Sequence, residues 1–440
     1  MSLKTIYKKP GLLIFFFSFA FLLSGSGQDG NSTNSSPEFS ASLSGDIYAQ
    51  VQVIGDVDGD GKKDLVFGAT DGKVHLFSSQ GNEITAGLWP KFTGGPITAA
   101  VTVSDIDGDG HAMEVLTAGY DHKLYALDRY GREIWKFDAG GAIHLSQPRV
   151  ETVDKESGKS MILLGSHAKK VFSLDFKGRL NWAVRADGTF STTVESSDLD
   201  GDGKKEIIAK DDNGKIHVLN YNGSKISGWP KSTIRNGHWP YEVGITDLDG
   251  DGQKEILATD PNRQLLIWNR KGKLVRSMGL TGQAHSAPRV ADVDADGKPD
   301  FIYGDQKGNI NVLDNEGKSL KGFPYTLEKG NYIYGTPQFA DVDGDGKMDI
   351  IYTAFDPNGK GKQAGYVHAI SAKGKKVSGF PKYIGRTIAP VTIADLDGDG
   401  FIEIIAAGGI GYTDKQLHVF RTKGKIPIKM AIMGSEIQYF

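Results

Sequence analysis

A nine-residue acidic loop recurs along this 440-residue chain and constrains its fold more than any other feature. Its first aspartate falls at Asp56, Asp105, Asp198, Asp247, Asp292, Asp341 and Asp395, in steps of 49, 93, 49, 45, 49 and 54 residues. The 93-residue step spans two periods, and its middle holds a degraded copy around Thr152, Asp154 and Glu156, ahead of the apolar run Met161 to Leu164. The chain therefore reads as eight repeats of about 48 residues. A period of that size belongs to solenoids or propellers, and strand content decides between them.

Each repeat reads as four short strands. In the second, Ala99 to Val103 leads into the acidic loop, Glu114 to Ala118 leaves it, Lys123 to Leu127 follows a turn, and Glu133 to Phe137 follows Tyr130 and Gly131. β-Branched runs bounded by Asp71-Gly72 or Asn213-Gly214 are strand and hairpin signals, and no helical periodicity is sustained. One four-stranded sheet cannot bury both of its faces. Eight arranged radially can, leaving only short protected edges. The expected fold is all-β, an eight-bladed β-propeller; seven blades with a flanking hairpin is the alternative. The last repeat, Val391 to about Met433, and the first, from Ile47, both read as complete, so closure by a strand exchanged between the termini is not required.

The first loop reads Asp56, Val57, Asp58, Gly59, Asp60, Gly61, Lys62, Lys63, Asp64, with carboxylates at positions 1, 3, 5 and 9. The same pattern gives Asp198, Asp200, Asp202 and Glu206; Asp247, Asp249, Asp251 and Glu255; Asp292, Asp294, Asp296 and Asp300; Asp341, Asp343, Asp345 and Asp349; and Asp395, Asp397, Asp399 and Glu403. Four carboxylates this close repel one another unless a cation lies among them, and a flexible all-oxygen shell suits Ca²⁺ better than Mg²⁺. Glycine at position 6 permits the sharp turn, and the carbonyl of position 7 is expected to complete the shell. The competing reading is a set of metal-free Asx turns, which six copies in register disfavour. The loop of Asp105, Asp107 and Asp109 departs from the pattern, because Glu114 stands at position 10. It is a doubtful seventh site. In the third repeat Thr152 and Ser160 replace the outer carboxylates, and no ion is expected there.

The loop followed by Asp64, Leu65, Val66, Phe67, Gly68 and Ala69 resembles the FG-GAP/VCBS repeats of integrin α-subunit propellers and of many secreted bacterial proteins. The likeness covers roughly Ile47 to Met433. It implies calcium in the hairpin loop between the first two strands of a blade. Segments such as Lys123 to Asp128 with Glu133 to Trp135 also look like quinone-type propeller repeats, without their full signature. Such propellers include adhesins, lectins, scaffolds and a few polysaccharide lyases, so fold alone does not settle function.

At the entrance to the first strands sit Tyr48, His144, Phe190, Trp239, Tyr241, His285, Tyr332 and Tyr334. Residues there ring one mouth of a propeller's channel. Tyr48, His144, Trp239, Tyr241, His285, Tyr332 and Tyr334 are the candidate ligand residues, against the alternative that they merely fill the channel. His75, His217, His368 and His418 share one position in the third strand of four repeats, and Trp89-Pro90, Trp229-Pro230, Phe323-Pro324 and Phe380-Pro381 another. Both sets are expected to pack within or between blades rather than to bind ligands.

Lys4, Lys8 and Lys9 precede the apolar run Leu12 to Leu23 and the small residues Ser24 to Gly27, the three parts of a secretory signal peptide. Residues 1–26 are read as that signal, 27–44 as a Ser/Asn/Gly-rich linker, and 45–440 as the propeller. An uncleaved anchor is the alternative fate of the signal. The expected location is outside the cell or in its envelope, at the surface or in the periplasm. With 51 Lys and Arg against 54 Asp and Glu, nothing advertises nucleic-acid binding, and the absence of cysteine excludes disulfides and thiolate chemistry. Seven loaded loops would add +14 to a formal charge of −3, which favours anionic partners. No nucleophile elbow, HExxH or phosphate loop appears; only His144, His285, Arg149 and Arg289 hint at a base beside a neutralising cation. The preferred function is a cell-surface recognition module for a glycan or protein. A polysaccharide lyase and a periplasmic assembly scaffold are the alternatives.

Overall fold

The computed structural model describes residues 38–233, 242–327, 332–356, 365–411 and 415–425. Every regular element among them is a strand, and the strands form eight antiparallel sheets. No helix among the described residues is long and apolar enough to cross a membrane. The fold is an eight-bladed β-propeller. The third repeat, whose acidic loop is degraded, still builds a full blade from Arg149–Asp154, Lys159–Ser166, Lys170–Leu174 and Leu180–Arg185, which removes the seven-bladed alternative.

In the second blade the strands Glu114–Ala118 and Lys123–Leu127 fall where the sequence puts them. The first strand is shorter than expected, Thr102–Ser104. Ala99 and Val101 are buried but stand outside the ladder. Neighbouring first strands touch one another, which makes them the innermost strands around the axis. Only a few residues fit there before the chain must splay outward.

Closure differs from expectation. Phe39–Ser42, inside the stretch read as a linker, pairs antiparallel with Gln416–Lys425 and becomes the fourth strand of the last blade. Its register puts Phe39 opposite Val419 and Ala41 opposite Leu417. A four-residue strand among serines carries no periodicity of its own; its place is set by the edge it completes. The residues beyond Lys425, where the sequence suggested a native fourth strand, lie outside the described residues.

The hydrophobic core is distributed between blades. Leu76 and Trp89 of the first blade pack with Val115, Tyr125 and Leu127 of the second, and Val53, Leu65 and Phe67 pack with Ile405, Leu417 and Val419 of the last. Second strands such as Asp64–Gly68 are buried along their whole length, since both faces meet a neighbouring sheet. Indole N–H groups tie the blades together. Trp89 Nε1 donates to the carbonyl of Arg129 at 2.8 Å, Trp229 Nε1 to Arg270 at 2.6 Å, Trp135 Nε1 to Phe176 at 2.8 Å and Trp182 Nε1 to Tyr221 at 3.1 Å. Trp89 and Trp229 are mostly buried, as are Phe323 and Phe380, so these aromatics before proline are interblade packing. Trp89→Phe leaves the Arg129 carbonyl unpaired and is expected to cost about 1–2 kcal/mol in denaturant unfolding, with no change in ligand binding.

Strand direction separates the two faces. Each first strand ends in the acidic loop, so all acidic loops open on one face. The turns between second and third strands, and the connections that enter each first strand, lie on the other.

Candidate functional site

The acidic loops fold around their first aspartate. Asp56 Oδ1 accepts from the Gly59 N–H at 2.6 Å and its Oδ2 from Gly61 at 2.8 Å. Asp198, Asp341 and Asp395 repeat both bonds. Asx turns thus run through the whole loop, since Asp58 Oδ1 accepts from the Asp60 N–H at 3.1 Å and Asp60 Oδ1 from Lys62 at 2.9 Å, but in the first aspartate both oxygens are bonded while Asp58 and Asp60 each engage one. Gly61 turns at φ 86°, the left-handed region that glycine favours. At the fourth position, where the other loops carry glycine, the loop of Asp292 has Ala295 at φ 61°.

Position 9 enters from the second strand. Asp64 is wholly buried; its Oδ2 accepts from the Val57 N–H at 2.8 Å, while Oδ1 is buried without a partner. Glu403 does the same, Oε2 bonding to the Leu396 N–H at 2.9 Å and Oε1 left unpartnered. Burial, followed by repulsion from the neighbouring aspartates, pushes Asp64, Asp349 and Glu403 up to about 7 and Asp300 to about 6. Oxygens of Asp56, Asp58 and Asp64 lie within 4.8 Å of one another, as do those of Asp198, Asp200 and Glu206, of Asp247, Asp249 and Asp251, and of Asp292, Asp294 and Asp300. An all-oxygen donor set with an orphaned buried oxygen fits a hard divalent cation.

In the second loop Glu114 joins Asp105 and Asp107 although it stands one position late. Its carboxylate also accepts from the backbone, at Ile106. The longer glutamate and the extra residue offset each other, which position counting missed. In the third repeat Thr152 and Ser160 bond to each other at 3.0 Å instead.

On the opposite face Tyr48, Thr70, Pro96, Thr98, Tyr120 and His144 line an open depression of about 360 Å³ across the first three blades. His144 Nδ1 lies 3.0 Å from the Thr98 hydroxyl and 2.9 Å from the Tyr120 hydroxyl, and its ring meets that of His167 edge-on at 5.9 Å. His167 Nε2 is 2.9 Å from Ser191 Oγ, which donates to Asp212 Oδ2 at 2.9 Å. A polar and aromatic arc therefore crosses three blade boundaries. Burial, then the neighbouring His167, lowers the His144 pKa, which favours the neutral imidazole.

A second arc joins His285, Tyr332, Tyr334 and Phe355. Tyr334 stacks on Phe355 at 5.5 Å between centroids, and the Arg386 guanidinium sits 5.1 Å from the Phe355 centroid. His285 lies 5.0 Å from the ring of Tyr334. Burial raises the phenol pKa of both Tyr334 and Tyr48, and the Arg386 charge offsets part of that rise in each. Trp239 and Tyr241 lie outside the described residues. Phe190 does not join the ring: it is buried against His217 and the third blade's core. Tyr120, His167 and Arg386 were missed from sequence: Tyr120 and His167 come from turns between second and third strands, away from the first-strand entrances, while Arg386 stands at such an entrance but is a cation among positions read for aromatics and histidines.

Arg149 and Arg289 stand on first strands, and Arg149 Nη2 bonds Glu195 at 3.0 Å. The four repeated histidines each pack against side chains of their own blade, His217 on Asp211 and His418 on Phe420 among them. His368 stacks on Tyr352 at 5.2 Å, His75 on Phe67 at 5.4 Å, and His75 Nδ1 lies 2.6 Å from Glu83.

A model of FG-GAP-like repeats matches residues 56–117, 198–258, 247–303 and 292–352. None of the curated proteins matches the sequence significantly. Among solved structures, BamB from Moraxella catarrhalis superposes with a TM-score of 0.56 at 15% identity, over 88% of this chain and 98% of that one. The structure of BBS1N in complex with ARL6DN matches with a TM-score of 0.46 at 13% identity, over 90% and 98%.

Proposed function

The chain belongs to the FG-GAP-like repeat family, and we propose that it is an exported propeller, stabilised by calcium on one face, that recognises a glycan or a surface protein with the other. The observation carrying this reading is the arc of Tyr48, Tyr120, His144 and His167, open to solvent and set apart from the acidic loops. Aromatic faces beside hydroxyl and imidazole groups suit a sugar ring, which offers an apolar face for stacking and a rim of hydroxyls. A calcium-loaded shell and Arg386 at the mouth favour an anionic ligand. Calcium holds the fold rather than the ligand, because the loops and the mouth lie on opposite faces. The export signal and the cell-surface or periplasmic location belong to the same reading.

The test is a glycan array probed with the calcium-loaded protein, followed by calorimetry on the best ligand. Tyr120→Ala and His144→Ala are each expected to weaken binding at least about tenfold, ~1.4 kcal/mol, with the melting temperature little changed. Unaltered affinity in both variants would remove the mouth from the proposal. New unsaturated products from acidic polysaccharides would replace recognition by lyase chemistry.

A further inference from the structure

On the face of the acidic loops, one loop is met by a side-chain cation from the neighbouring blade. Arg270 lies in the turn between the third strand Gln264–Trp268 and the fourth strand Leu274–Gly279 of the fifth blade, beside the acidic loop of the fourth. Its Nη1 is 2.8 Å from Asp200 Oδ2 and its Nη2 is 3.0 Å from Glu206 Oε1. These carboxylates hold positions 3 and 9 of the loop. Glu206 Oε2 is bound to the Leu199 N–H at 2.9 Å, as Asp64 Oδ2 is to Val57. Glu206 Oε1 is therefore the counterpart of Asp64 Oδ1 and Glu403 Oε1, the two oxygens buried without a partner. Arg270 takes the atom that those loops hold free for an ion.

The other ion pairs at the loops do not do this. Arg421 reaches Asp397 at 3.5 Å and touches Asp399, yet leaves Glu403 Oε1 unpartnered. Lys347 pairs with Asp345 at 3.0 Å on an exposed rim. Only Arg270, among the described residues, bridges positions 3 and 9. A guanidinium presents a rigid fork of donors, so it can satisfy two carboxylates at once. Of the loop's buried carboxylate oxygens only Asp200 Oδ1 is left unpaired, with Asp202 on the exposed rim, which is short of the six to eight oxygens of a calcium shell.

We infer that the Arg270 guanidinium neutralises the fourth blade's acidic loop in place of a metal, so that calcium binds there only by displacing it. The inference rests on the calcium reading of the remaining loops. It also gives that pair of blades a clamp that chelators do not remove, since the Arg270 carbonyl accepts from Trp229 Nε1 while its side chain holds the neighbouring loop.

The experiment is equilibrium dialysis of the full chain against sub-millimolar to millimolar calcium, with bound metal counted per protein. Arg270→Ala and the near-isosteric Arg270→Gln keep the backbone carbonyl that Trp229 needs. Each is expected to bind one more calcium than the wild type, and adding Asp200→Ala should cancel the gain. Equal counts in wild type and both variants overturn the inference, while the calcium reading of the other loops survives. If no protein binds calcium, that wider reading fails, and melting in chelator decides the narrower one. Arg270→Gln must then melt below the wild type, whereas Arg276→Gln, remote from the loop and bonded to Asn315, must not. Equal melting of Arg270→Gln and wild type overturns it.

Discussion

Moving the protein from about 10 mM calcium into chelator is expected to lower its melting temperature by roughly 10–20 °C at pH 7.5. Extracellular calcium loops bind at about 10⁻⁴ M at their tighter end, so a hundredfold excess stabilises each by about 2.7 kcal/mol. Five such loops give ~13 kcal/mol, against an unfolding entropy of about 0.8 kcal/mol/K for a propeller of this size. The pH dependence carries a sign that separates metal from bare carboxylates. Asp64, Asp349 and Glu403 are raised to about 7 and Asp300 to about 6, far above the ~4 of an unfolded chain. Between those limits the folded, metal-free protein holds protons that the unfolded chain has released. The contribution of these four groups to its stability is therefore full below about pH 4 and is lost as pH rises through 7. Calcium requires the deprotonated loops, so the gap between the calcium and chelator melting curves should widen from pH 5 to pH 8. Coincident curves at pH 8 would falsify the metal reading.

The loops were legible in the sequence because their chemistry is local: carboxylates, glycine and strand all lie within nine residues. Blade number was legible for a related reason, since Met161 to Leu164 kept its strand signal after the loop beside it had lost its carboxylates. What escaped detection depends on neighbours distant along the chain. Arg270 meets a loop 64 residues earlier, and its role appears only when the third-strand turn of one blade is laid beside the loop of the blade before. Tyr120 and His144 sit 24 residues apart on different blades, and nothing in the local pattern of either announces a hydrogen bond. Phe190 erred in the other direction. It occupies the ring position along the chain, yet it packs over Gly165, whose missing side chain opens a space for its ring.

Deleting the chain up to residue 44 is expected to cost about 5–8 kcal/mol, although the sequence marks that stretch as a linker. The Glu38 N–H donates to the Val419 carbonyl at 2.8 Å and Leu43 to Lys415 at 3.0 Å, bracketing the four-residue ladder. Ala41 is buried and Phe39 and Leu43 pack against the cluster shared by the first and last blades. Ser40 Oγ lies 2.8 Å from His418 Nδ1, and Phe39 covers Gly81 in the first blade's turn. At ~1–2 kcal/mol for each partly buried apolar side chain and ~1 for each hydrogen bond, these contacts give the stated total. They also close a ring. At the axis, Gln50 Nε2 donates to the Val391 carbonyl at 3.0 Å and Thr392 to that of Val51, so the first and last blades stay joined by their inner strands. Without the outer strand, the long edge Gln416–Lys425 is bared and becomes open to pairing with a second chain. Denaturant unfolding and light scattering should therefore show a chain starting at residue 45 to be both less stable and prone to associate, while one starting at residue 36 behaves like the full protein. A peptide of residues 38–44 added in excess should restore part of the stability by refilling the edge. Equal stability of the two truncations would mean that the inner contacts alone hold the ring.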